Sequence, residues 1–134
     1  MGDYAGAAVS TPRHAPKRRS PSGGEAWGIP AATYNYTDPN GRIIAQVDRF
    51  EWEEGGRRRK AFRPWDATRQ CYKAPEHRPL YNLPQVVRQP EIVLTEGEKC
   101  ADALNAAGIC ATTAMNGSNA PVEQTDWSPL AGRK

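Results

Sequence analysis

The stretch from Glu91 to Thr113 constrains the fold more than any other part of the chain. Glu91-Ile92-Val93-Leu94-Thr95 is a short apolar run without alternation, the pattern expected of a strand buried on both faces. Glu96-Gly97-Glu98 reads as a turn, with Gly97 letting the backbone bend closely. Lys99 to Ala107 reads as a helix, with Ala101, Leu104 and Ala107 or Ile109 towards the sheet and Gly108 as its left-handed stop. Ile109 to Thr113 then reads as a second strand, with Cys110 buried in it. A crossover of about a dozen residues is near the minimum for parallel pairing. The predicted unit is therefore βαβ, and right-handed.

The residues before it follow a different rhythm. Tyr34 and Tyr36 alternate in a strand over 32–37, and Asp38-Pro39-Asn40-Gly41 is a turn signal. Arg42 to Trp52 returns as a strand with Ile43, Ala45 and Val47 on one face and Ile44, Gln46 and Asp48 on the other. Glu53 to Gly56 makes a second turn, Arg57 to Arg63 a third strand, and Arg69 to Lys73 a short fourth. Pro79 and Pro84 bracket a connector in which any helix is brief and begins near Pro84. A further short helix is expected at Asp126 to Leu130. Residues 1–30, rich in Ala, Gly, Ser and Pro, lack the apolar side chains to offset the entropy of ordering and read as a disordered basic tail, with Arg13, Lys17, Arg18 and Arg19. The expected fold class is α/β: a tail (1–30), an antiparallel β region (31–77) and an incomplete parallel βαβ unit (78–134). With only 38% hydrophobic residues, the core should be small, and the βαβ unit should lean on the β region before it.

Several function classes drop out. No P-loop and no nucleophile elbow occurs, which removes helicase-type ATP hydrolysis and serine hydrolysis. The three cysteines form no CxxC pair and the two histidines are isolated, so no zinc ribbon is encoded. There is no run of about 18 apolar residues to span a membrane and no secretory leader, so the expected location is the cytoplasm.

What remains is carried by charge and by one carboxylate. Residues 31–90 hold eleven basic and seven acidic side chains, whereas 91–134 hold three and six. Within the basic part, Arg57, Arg58, Arg59, Lys60 and Arg63 lie beside Phe62 and Trp65, a composition suited to single-stranded nucleic acid. On a strand, Arg57, Arg59 and Ala61 face one side and Arg58, Lys60 and Phe62 the other. Glu96 follows the first parallel strand and precedes a helix, the crevice in which open α/β sheets bind ligands. A carboxylate there can activate a hydroxyl or help hold a cation. Glu98 and Asp102, four apart on one helix face, are expected in structural roles. Lys99 at the start of the helix, with Gly97, is a candidate phosphate contact, as is the loop Asn116-Gly117-Ser118-Asn119 through its amides.

The run Val93-Leu94-Thr95-Glu96-Gly97-Glu98-Lys99-Cys100-Ala101-Asp102-Ala103-Leu104 resembles the first motif of the Toprim family of primases and topoisomerases. Its Glu-Gly-Glu-Lys form is similar to Toprim proteins of phages, plasmids and integrated elements, and so are the flanks Arg78 to Leu83 and Asp126 to Arg133. The resemblance implies a DNA primase acting in phage, plasmid or mobile-element replication. It makes Glu96 the general base or acid of nucleotidyl transfer and Mg²⁺ the cofactor. The partners it implies are single-stranded DNA, nucleotides and a helicase domain or second polypeptide. It also implies two Mg²⁺-binding aspartates, as Asp-x-Asp, on a later strand. No such pair occurs, since Asp126 is the only aspartate after Asp102. The sequence thus reads as the N-terminal fragment of a Toprim primase, inactive alone, with no complete metal site and Glu96 as one contributor. The other readings are a non-catalytic module that binds single-stranded nucleic acid, and a Toprim nuclease or topoisomerase relative.

Overall fold

Alternating tyrosines mark the first strand of the described residues. In the computed structural model, which describes residues 28–132, β1 (Ala32–Thr37) pairs antiparallel with β2 (Ile43–Glu54), setting Tyr34 opposite Val47 and Tyr36 opposite Ala45. The connecting turn is held by the Asp38 carboxylate, which accepts the amides of Asn40 and Arg42. A two-residue loop, Gly55-Gly56, joins β2 to β3 (Arg57–Asp66); both glycines have positive φ, as a tight hairpin requires. Register is unbroken from Ala45↔Asp66 to Glu54↔Arg57, so the far end of the hairpin is a two-stranded arm.

After β3 the expected fourth strand is not formed. Only a single bridge, Asp66↔Cys71, appears, because the Asp66 carboxylate draws the amides of Thr68 and Arg69 into a turn and Gln70 takes a left-handed φ of 56°. The connector carries a four-residue helix, α1 (Leu83–Val86), with Pro84 in its first turn.

The parallel unit forms with the expected order. β4 (Val93–Leu94) leads into α2 (Glu98–Ala106) and returns as β5 (Ala111–Thr112), pairing Val93↔Ala111 and Leu94↔Thr112. Gly108 is left-handed, at φ 86°, just past the helix end. Three details depart from expectation. β4 is not buried on both faces: Val93 is 41% and Leu94 55% exposed. The amides of Val93 and Thr95 point to Cys110 and Thr112 of the β5 segment, so the Leu94 backbone faces a side where no strand lies among the described residues. Ala107 and Ile109 face solvent, because Gly108 turns the chain outward, and only Ala101 and Leu104 pack inward. Cys110 is partly accessible rather than buried, since β5 begins one residue later. The three cysteines carry no disulfide.

One core joins the two sheets. Tyr34, Tyr36, Ala45 and Val47 from the antiparallel sheet pack with Tyr81 of the connector and with Ala101, Ala111 and Met115 of the parallel unit. Tyr81 meets Tyr34 edge-on at 6.1 Å and Tyr36 at 5.2 Å between ring centroids. The βαβ unit does lean on the preceding sheet. The chain is thus mixed α/β, with a three-stranded antiparallel sheet and a two-stranded parallel one. No helix of the described residues is long and apolar enough to cross a membrane. The tail read over residues 1–30, with its basic residues, lies outside the described residues up to position 27. Short 3-10 turns, Gly117–Asn119, Val122–Gln124 and Ser128–Leu130, complete the chain, the last falling where a short helix was expected.

Candidate functional site

The carboxyl ends of β4 and β5 and the start of α2 meet at one rim. Thr95 fixes it from one side: its hydroxyl donates to the Gly97 carbonyl at 2.9 Å, and its own carbonyl accepts the Thr113 hydroxyl at 2.9 Å. Glu96 stands exposed between them, with no hydrogen bond or ion pair among the described residues. That is the presentation a proton acceptor or a ligand contact needs.

The loop after β5 closes the rim. Asn116 and Gly117 are both left-handed, at φ 78° and 56°, and the Glu96 carbonyl oxygen occupies the place where a side chain on residue 117 would begin. The glycine that shapes the rim is therefore Gly117. Gly97, expected to permit a close turn, is fully extended (φ −161°) as the residue capping α2, and a side chain there would meet nothing within 4 Å. The phosphate-cradling role of the 116–119 loop is also reduced. The Gly117 amide donates to Ala114 at 2.8 Å and that of Asn119 to Asn116 at 3.1 Å, so both are consumed inside the turn.

Neither of the other carboxylates of α2 joins Glu96. Glu98 is buried and accepts the Tyr36 hydroxyl at 2.8 Å. Asp102, one turn on, accepts the Tyr81 hydroxyl at 2.6 Å. Burial, and then the charge and hydrogen bond of Glu98, hold the Tyr36 phenol well above its ordinary pKa. The Asp102 carboxyl is raised by the protein packed around it, offset in part by the bond from Tyr81. Both acids are thus structural, as their shared face predicted, but their partners were invisible in the sequence. Tyr36 and Glu98 lie 62 positions apart, and no local pattern encodes such a contact. Asn105 was missed as well. Its side chain accepts the Ala111 amide at 2.8 Å and donates to the Ala111 carbonyl at 3.2 Å, capping the start of β5 as a neighbouring strand would. A residue of strand-mimicking type at a helix end is the one signal that pointed to it.

Mg²⁺ requires several oxygen ligands in near-octahedral order. Here Glu96 offers one carboxylate while Glu98 and Asp102 are turned to tyrosines, and among the described residues no group of three or more ligating side chains comes together. The residues present do not fit the ion.

The hydrogen bond from Arg49 holds the Glu51 carboxyl of the hairpin arm low, and Lys99, exposed in the first turn of α2, adds a smaller pull in the same direction. The basic run sits on that arm, where Arg57 to Lys60 are all exposed. Cross-strand pairing sets Arg57 opposite Glu54, Arg58 opposite Glu53 and Lys60 opposite Glu51, so acids dilute the patch. Arg63 is withdrawn from it, its guanidinium lying 3.7 Å from the Tyr72 ring centre. No family model, no curated protein and no solved structure matches the chain.

Proposed function

We propose that this chain is the front part of a Toprim-type DNA primase, in which Glu96 handles a proton during nucleotidyl transfer. The observation that carries the reading is the place of Glu96. It is an exposed carboxylate just past a parallel strand and two residues before a nine-residue helix, on a residue whose backbone carbonyl lies against the loop that follows the next strand. Ligands of open parallel sheets are met in that crevice. There a carboxylate can take the proton of an attacking hydroxyl. In this reading the described residues supply positioning and a proton acceptor.

A second reading, a non-catalytic module for single-stranded nucleic acid, is favoured by the exposed basic arm. The two separate by experiment. The DNA following the Lys134 codon, translated in each frame, is expected to encode an apolar strand ending in Asp-x-Asp. In the protein that includes it, Glu96→Gln should lower primer synthesis on a single-stranded template with Mg²⁺ by about a hundredfold or more. Synthesis at an unaltered rate would remove Glu96 from the chemistry, and unrelated sequence after Lys134 would favour the binding module.

A further inference from the structure

Strand alternation divides Arg57 to Lys60 between two faces, and the register of β2 and β3 shows what each face adjoins. Val47, Arg49, Glu51 and Glu53 of β2 share a face with Arg58, Lys60 and Phe62 of β3, through the pairs Arg49↔Phe62, Glu51↔Lys60 and Glu53↔Arg58. This is the face that, nearer the base of the hairpin, packs Ala45 and Val47 against the parallel unit. It therefore runs outward from the core on the side of α2. Arg57 and Arg59 lie on the opposite face, across from Glu54 and Trp52.

The two faces differ in what they expose. On the α2 side Phe62 is 44% exposed, with the Arg49 guanidinium 5.5 Å from its ring centre. Arg58 and Lys60 flank it at successive two-residue steps, about 6.7 Å each along a strand. Of the two acids there, Glu51 is tied up by Arg49 at 2.6 Å. Lys99, exposed in the first turn of α2, lies near enough for its charge to act on Glu51 of this face. Four cations thus stand against two carboxylates, beside an accessible ring, on the face turned to α2.

We infer that the α2-facing side of the hairpin arm is a track for single-stranded nucleic acid, with Arg58, Lys60 and Lys99 on the phosphates and Phe62 under a base, leading the strand towards Glu96. Cations set around an exposed ring suit a single strand, whose bases are open to stacking, better than a duplex, whose bases are already stacked on one another. The inference rests on the nucleic-acid reading above, and its test reads binding rather than catalysis, so the two can fail separately.

Two double variants remove the same charge from opposite faces: Arg58→Ser with Lys60→Ser, and Arg57→Ser with Arg59→Ser. Binding of a fluorescent oligo-dT 20-mer to the full chain, followed by anisotropy over a salt series, is expected to weaken tenfold or more for the first pair and less than about threefold for the second. The first pair should also flatten the log K against log salt slope by roughly 1.4, two phosphate contacts on a single strand. Phe62→Leu, which keeps an apolar side chain, should weaken binding about fivefold at any salt. Equal losses from the two pairs would make the effect one of net charge and overturn the proposal. So would absence of binding, equal affinity for duplex, or tighter binding of a poly-glutamate peptide than of the oligonucleotide. Circular dichroism of each variant separates loss of binding from loss of fold.

Discussion

β2 runs for twelve residues and buries side chains on both faces, whereas β4 is two residues long and leaves both of its side chains half exposed. The antiparallel sheet is held in the ordinary way, by a long ladder and by apolar burial under Tyr34, Tyr36 and Val47. The parallel pair has a short ladder, and only its β5 strand is buried. It is fastened by side-chain hydrogen bonds: Tyr36 to Glu98, Tyr81 to Asp102, Asn105 to Ala111, and the threonine hydroxyls around residue 95. A two-stranded sheet is marginal alone. Here Tyr36 ties it to the other sheet and Tyr81 to the connector, both through the helix that begins at the candidate rim.

The comparison can be broken most severely at Tyr36, which serves both regions. Tyr36→Ala empties a fully buried site and should cost about 3–5 kcal/mol by urea denaturation. Tyr36→Phe keeps the packing but leaves buried Glu98 without its donor and should cost about 1–3 kcal/mol. A Phe variant as stable as the parent would show that packing alone joins the sheets. Next in size is Asn105→Ala, which strips partners from the Ala111 amide and carbonyl. A loss of about 1–2 kcal/mol is expected, with faster amide exchange confined to β4 and β5; exchange that quickens evenly over all strands would contradict the division drawn here. The smallest effect concerns Asp102. Its folded carboxyl is raised, so its contribution to stability is present below its unfolded pKa and is lost as pH rises through the raised folded value. Because the side chain is accessible, solvent screens much of this. Asp102→Asn, which still accepts from Tyr81, should raise the melting temperature slightly at pH 7 and not at pH 3; a gain of the same size at both would exclude the charge as its cause.

Local rules made much of this fold readable. The bounds of β1, the turn at Asp38, the parallel order of the second sheet and the helix stop at Gly108 follow from alternation, turn chemistry and crossover length. The exposure of β4 does not, because an apolar run shows that neither face is polar, not that a layer exists to cover it. The division of the basic run between two faces was readable from its alternation, but which face adjoins the rim depends on how the sheets pack. Likewise the need for glycine at 117 and not at 97 arises from tertiary approach, which a turn signal such as Glu-Gly cannot report.

The seating of the Glu96 carbonyl against the bare α-carbon of Gly117 has a mechanical consequence. A contact of that kind is a hard stop. The two loops have no room to draw nearer, so any side chain introduced at 117 must wedge them apart and carry the Glu96 backbone with it.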